Sequence, residues 1–128
     1  MALSKTIYKL ADGVILVYDI TRHITFENIL NWMEKLKEYN DKIPILIIGN
    51  KKDKEDERNI TFEEGKKFAD EHKMNFFETS AFNGENVDKA FISFLYEIFE
   101  NIKHKTSLKK VDSFSIESNK KRKEKCCQ

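Results

Sequence analysis

Two short stretches of this 128-residue chain carry residue types suited to recognising a nucleobase. The first is Gly49-Asn-Lys-Lys-Asp53, which closes the apolar run Ile43-Pro-Ile-Leu-Ile-Ile48. A carboxylate accepts two hydrogen bonds in a fork. Guanine offers adjacent donors at its ring nitrogen and its exocyclic amine, and adenine does not. Asp53 at such a strand end can therefore select guanine, the stem of Lys51 can lie over the purine face, and Asn50 can tie this loop to its neighbours. The second stretch is Glu78-Thr-Ser-Ala81. The Ser80 hydroxyl can brace its own loop, and the backbone amides around Ala81 can meet a carbonyl oxygen such as guanine O6. Small side chains there let a base approach closely. Either stretch alone reads as a solvated turn after a strand. The two together, at adjacent strand ends and in this order, argue for a guanine site.

Three apolar segments and three amphipathic ones must position these loops. Gly13–Asp19, Ile43–Gly49 and the weaker Asn75–Thr79 are short, continuous apolar runs, as strands buried on both faces require. Pro44 fits only near the start of its strand. Between the runs, Phe26, Ile29, Leu30, Met33 and Leu36 mark one face of a helix over residues 25–39. Residues 61–72 form a second helix, opened by the capping-box pattern Thr61-Phe-Glu-Glu64. Phe91, Phe94, Leu95, Ile98 and Ile102 form the stripe of a third, from Val87 to about Lys105, with Asn86 as its N-cap. Alternating strands and helices imply right-handed crossovers, so the predicted fold class is α/β, a parallel sheet with helices on both faces. In such sheets ligands bind beyond the carboxyl ends of the strands.

Composition narrows the classes. A hydrophobic fraction of 40% and ten Phe fit a folded core, and a net charge of +1 excludes a polycation that coats nucleic acid. No apolar run approaches the length of a transmembrane helix. His23, His72 and His104 show no metal-ligand spacing, and no nucleophile–base constellation stands out. Charge is uneven. Residues 107–128 hold seven basic and three acidic side chains, which leaves residues 1–106 with a net charge of −3. The tail is rich in Ser and Lys and reads as disordered, so the expected boundary lies near Lys105, between a folded part over 1–105 and a tail over 106–128. Cys126 and Cys127 form a vicinal pair that closes no useful loop and lacks zinc-ligand partners. They read either as free thiols or, behind Lys120-Lys-Arg-Lys123 and Lys125, as sites of lipid attachment.

The chain resembles the latter part of a Ras-superfamily small GTPase, most closely the Rab branch. The matching stretches are Ala11-Asp-Gly-Val-Ile-Leu-Val-Tyr-Asp-Ile-Thr21, Thr25-Phe-Glu-Asn-Ile-Leu-Asn-Trp32, Asn50-Lys-Lys-Asp53, Glu63-Glu-Gly-Lys-Lys-Phe-Ala69, Glu78-Thr-Ser-Ala81 and Gly84-Glu-Asn-Val87. The resemblance covers residues 8–105 and the cysteine tail, and it implies a truncated small G-protein (P-loop NTPase) fold. It implies that Asn50, Lys51 and Asp53 bind the guanine base of GTP or GDP, with Ser80 and Ala81 supporting it from the other loop. Phe82 departs from the family, which usually has Lys there. The Cys126-Cys127-Gln128 ending is not C-a-a-X but resembles the double-cysteine tails that receive geranylgeranyl groups. The resemblance therefore also implies prenylation of Cys126 and Cys127, an escort protein, vesicle-trafficking regulators, and a place on the cytoplasmic face of endomembranes, or in the cytosol without the lipid.

Other parts of the family pattern have no match. A phosphate-binding loop reads G-x-x-x-x-G-K-[ST], and none of Gly13, Gly49, Gly65 or Gly84 begins it. The switch segments, with the residues that hold magnesium and position water, would lie upstream of residue 8. No catalytic residue and no metal ligand is assigned, since the ligands of the family's Mg²⁺ have no match; a structural role is expected for Asp19. The strands that flank Gly13–Asp19 in the family are unmatched too, which leaves Val14–Tyr18 as an exposed apolar edge. Two readings stay open: a Rab-like GTPase seen without its first half, or a non-cycling, lipid-anchored fragment or incomplete gene model without GTPase activity.

Overall fold

The computed structural model describes the backbone of residues 5–126 and the side chains of residues 5–108. Its elements are α1 (Lys5–Leu10), β1 (Val14–Asp19), α2 (His23–Tyr39), β2 (Ile45–Asn50), a 3₁₀ turn (Glu55–Glu57), α3 (Phe62–Glu71), β3 (Asn75–Glu78) and α4 (Val87–Cys126). The strands form one parallel sheet in the order β1-β2-β3. Leu16 faces Ile47 across the first pair, and Ile47 faces Phe76 across the second.

β2 is apolar on both faces because both faces are covered. Ile45 and Ile47 enter a core with Leu16, Tyr18, Ile29, Met33, Leu36 and Ala69, so α2 and α3 cover that face. Leu46 and Ile48 enter a second core with Ala90 and Phe94 of α4, on the opposite face. The continuous Ile-Leu-Ile-Ile run thus marks the central strand of a two-sided sheet. Pro44 precedes β2, and its carbonyl accepts from the Val14 amide at 2.9 Å.

The capping box at α3 forms as expected. The Thr61 hydroxyl accepts from the Glu64 amide at 3.1 Å, and the Glu64 carboxylate accepts from the Thr61 amide at 2.8 Å. Asn86 stands at the expected N-cap of α4, its carbonyl accepting from the Ala90 amide at 3.0 Å, but in an unusual conformation. Its φ is 60°, and its side-chain amide donates to the Glu78 carbonyl at 2.9 Å, fastening the start of α4 to the end of β3. The short α1 is an addition to the predicted elements, held to α2 by the stacked rings of Tyr8 and Tyr39.

The chain divides into two units, residues 1–98 and 99–128. α4 runs through Lys105, where the sequence reading ends its helix, to Cys126. Residues 87–126 contain neither Gly nor Pro, so nothing in the backbone chemistry stops the helix. Within the second unit, Lys103 pairs with Glu100 at 3.5 Å, and the Thr106 hydroxyl donates to the Ile102 carbonyl at 2.9 Å. The side chains of Cys126 and Cys127 lie outside the described residues.

Tyr18 imposes a close fit on one helix. Its hydroxyl is buried and has no hydrogen-bond partner among the described residues. A Cβ on Gly65 of α3 would lie 2.5 Å from that hydroxyl oxygen and 2.7 Å from Phe76 Cζ. Gly→Ala inside a helix ordinarily gains about 1 kcal/mol. Here overpacking of about 1–3 kcal/mol opposes and exceeds that gain. Gly65→Ala is expected to lower the urea midpoint. Adding Tyr18→Phe, which removes the nearest atom and an unpaired buried hydroxyl, is expected to recover part of the loss.

Candidate functional site

The carboxyl ends of β2 and β3 lead into two adjacent loops, and their side chains brace each other. Asn50 is the last residue of β2. Its side-chain oxygen accepts from the Ala81 amide at 3.1 Å and from the Thr79 hydroxyl at 3.4 Å. The backbone repeats the link, since the Lys52 amide donates to the Thr79 carbonyl at 3.0 Å. Lys52 also pairs with Glu85. Asn50 therefore ties the loops together, as its side-chain amide allows.

Ser80 is fully buried, and its hydroxyl donates to Asp53 Oδ1 at 2.8 Å. The same hydroxyl accepts from the Asn83 amide at 3.2 Å, and the Gly84 amide donates to the Ser80 carbonyl at 2.8 Å. These bonds fix the 80–84 turn and the orientation of the Asp53 carboxylate. A carboxylate has about four lone-pair positions, so the Ser80 bond leaves Asp53 able to accept two more.

Lys51 has φ 70°, a left-handed conformation that costs a non-glycine residue about 1–2 kcal/mol. Its ammonium reaches Asp19 Oδ2 at 2.7 Å, so the stem spans from the end of β2 to the end of β1. Burial acts to raise the Asp19 pKa. Hydrogen bonds from Lys51 and Thr21 outweigh it and hold the carboxyl down at about 2. The Thr21 amide and hydroxyl occupy Asp19 Oδ1 at 2.9 and 2.7 Å. This carboxylate is engaged on both oxygens and serves the loop, as expected. No cluster of metal-ligating side chains occurs among the described residues. His72 Nδ1 lies 2.9 Å from the Phe68 carbonyl, and His23 lies 3.3 Å from Glu27.

Sequence reasoning missed the strongest brace. Arg58 reaches back from the 3₁₀ turn to Glu78 and forks its carboxylate at 2.6 and 2.7 Å. Arg58 also binds Glu55 at 2.7 and 2.8 Å and donates to the Ile60 carbonyl at 3.0 Å. Glu78 is 4% exposed, so the charge it buries is matched by the guanidinium, whose own charged form these carboxylates favour. The partners lie 20 residues apart, so no local pattern connects them. Phe82, one residue past Ala81, is 90% exposed.

The sheet, the order of its loops and the Asn50–Asp53 and Ser80–Ala81 pairings coincide with a match of residues 1–100 to the Ras family. The chain belongs to the Ras family. Its relatives place it in the Rab branch. It is 49% identical over 108 residues to the Ras-related protein RABA4a of Arabidopsis thaliana, an alignment that covers 84% of this chain and 47% of that protein. It is 42% identical over 105 residues to RABA1i of the same plant, covering 81% and 48%. It is 37% identical over 105 residues to rab-11.1 of Caenorhabditis elegans, covering 81% and 50%. The chain spans about half the length of the curated relatives it matches.

Proposed function

We propose that this Rab-branch chain recognises the guanine base of GTP or GDP through Asn50, Lys51, Asp53, Ser80 and Ala81. The observation that carries this reading is the double brace between the loops. Asn50 holds the Ala81 amide, and Ser80 holds Asp53 with at least two acceptor positions spare. Asp53 would accept from the two adjacent guanine donors, and the Lys51 stem would cover the ring. The small Ala81 leaves room for the base edge. Adenine places an acceptor where guanine has its ring N–H, which sets it against the carboxylate.

Guanine thus fits the residues present. The family's Mg²⁺ does not fit them, because Asp19, at the end of β1, is committed to Thr21 and Lys51. Base recognition is the share of the family's chemistry assigned to these residues, and no hydrolytic step is assigned to them. Equilibrium dialysis with labelled guanosine and adenosine tests the reading. Guanosine is expected to bind at least tenfold more tightly; equal retention of the two would refute it.

In the same proposal the molecule serves as a guanine-nucleotide switch in vesicle traffic, on the cytoplasmic face of endomembranes. Residues 106–128 act as its basic attachment tail, with Cys126 and Cys127 bearing the lipid. One lipid chain anchors marginally, and a second chain or a basic patch makes binding durable. Support comes from Lys120–Lys123 and Lys125 immediately before the cysteines. Cys126→Ser with Cys127→Ser is expected to move the protein from the membrane pellet to the supernatant. Unchanged sedimentation with membranes would contradict the anchor.

A further inference from the structure

Asparagine precedes glycine once in the chain, at Asn83-Gly84, and Asn83 lies outside the stretches that match the family pattern. The pair sits in the exposed turn between β3 and α4. Three bonds close that turn. The Asn83 amide donates to the Ser80 hydroxyl at 3.2 Å, the Gly84 amide to the Ser80 carbonyl at 2.8 Å, and the Ser80 amide to the Glu85 carbonyl at 3.1 Å. The turn thereby holds the hydroxyl that orients Asp53, next to the Ala81 amide that Asn50 grips.

The side chain of Asn83 folds over its own peptide. Its Oδ1 accepts from the Glu85 amide at 2.9 Å, an Asx turn that lays the side-chain carbonyl beside the Gly84 nitrogen. No side chain screens that nitrogen, and a Cβ built on Gly84 would meet nothing within 4 Å. The Glu85 N–H points at the oxygen on which charge develops when the side-chain carbonyl is attacked, so it serves as an oxyanion donor. One bond restrains the attack: the Gly84 N–H must first be released from Ser80. Asn40 makes the same turn, its Oδ1 accepting from the Lys42 amide at 3.1 Å. Asp41 follows it, however, and a Cβ there crowds the attacking nitrogen.

We infer that Asn83-Gly84 is a self-modifying site, at which the chain converts Asn83 to isoaspartate and thereby opens the turn that carries Ser80. Hydroxide takes the Gly84 amide proton, and the nitrogen attacks Asn83 Cγ. A cyclic imide closes as the Cγ–Nδ2 bond breaks and ammonia leaves with a proton from water. Water then adds to the imide. Breaking the bond from the Gly84 nitrogen to Asn83 Cγ gives aspartate; breaking its bond to the Asn83 main-chain carbonyl carbon gives isoaspartate. The balance is one water consumed and one ammonia released, with no redox change. In isoaspartate the main chain runs through Cβ and Cγ and is one atom longer, and the turn gains a carboxylate beside Glu85. The bonds from Gly84 to Ser80 and from Ser80 to Glu85 are set for the shorter path. The inference does not rest on the nucleotide reading.

The test stores the full chain in warm, mildly alkaline buffer and follows its peptides by mass spectrometry, with electron-transfer fragmentation to separate isoaspartate from aspartate. Asn83 is expected to convert at least tenfold faster than Asn40, chiefly to isoaspartate. Hydrogen exchange at the Ser80, Ala81 and Gly84 amides of the converted protein is expected to quicken at least tenfold, with the β2 amides unchanged. Gly84→Ala is expected to slow the conversion at least tenfold. Since a φ of 80° strains alanine, Asn83→Ser is the second variant. It cannot close the imide, and its turn is expected to keep its slow exchange throughout storage. Conversion at Asn83 no faster than at Asn40, conversion to aspartate alone, or a converted turn that exchanges as slowly as the fresh one would overturn the inference. So would an Asn83→Ser turn that loosens equally on storage.

Discussion

Arg58→Ala is expected to destabilise the fold by about 3–5 kcal/mol, because it strands the Glu78 charge in a buried position. Glu78 is 4% exposed, and both its oxygens are held by the guanidinium. Domains of this size have about 5–15 kcal/mol of stability in total, so the variant would sit near its unfolding midpoint in mild denaturant. Arg58→Lys is expected to recover little, since an ammonium cannot make the planar fork. Arg58→Met with Glu78→Gln is expected to be milder than Arg58→Ala alone, because no charge is then left unpaired. Urea titrations of the four proteins give the comparison. A double variant no more stable than Arg58→Ala would mean that the stranded Glu78 charge is not the source of the loss. The clamp joins the segment after β2 to the end of β3, so its loss is also expected to weaken guanosine binding at temperatures where the fold persists.

Asp53→Asn is expected to reduce guanosine binding about a hundredfold with little change in stability. An amide offers one acceptor and one donor where the base presents two donors, so one bond is lost and one contact becomes donor against donor. Hydrogen bonds to a charged group are worth about 1.5–3 kcal/mol each, and the upper part of that range corresponds to a factor of about a hundred. The amide oxygen can still accept from Ser80, so the brace survives. Competition dialysis and a urea midpoint, measured on the same preparation, separate the two effects. Unchanged binding would remove Asp53 from the site. Equal losses of binding and stability would make it a structural residue.

The apolar runs announced the strands because burial on both faces leaves no alternation to read, and Ile45–Ile48 shows that burial directly. Thr61 and Glu64 announced the start of α3 because a capping box is a local geometry. The two loops were legible for the same reason: Asn50 ends β2, and Asp53, Ser80 and Ala81 lie within three residues of a strand end. What stayed hidden depends on distant contacts. Arg58 looks like part of a charged turn until β3 brings Glu78 beside it. Asn86 was legible as the N-cap of α4, but not the bond that its side-chain amide donates to the Glu78 carbonyl, eight residues back. The apolar stripe of α4 fades near Lys105, which signals the loss of burial and not the end of a helix that has no breaker. The same stripe is wider than the sheet it covers: Phe94 is buried, whereas Phe91 and Leu95 are left open.

The central claim is that the loops after β2 and β3 form one guanine-selective site. Nitrogen-15 chemical-shift mapping of the unmodified chain tests it most directly. Guanosine is expected to shift the amides of Lys51, Lys52 and Ala81 together, and adenosine at the same concentration is expected to leave them in place. Shifts confined to other regions, or identical shifts with the two nucleosides, would contradict the account.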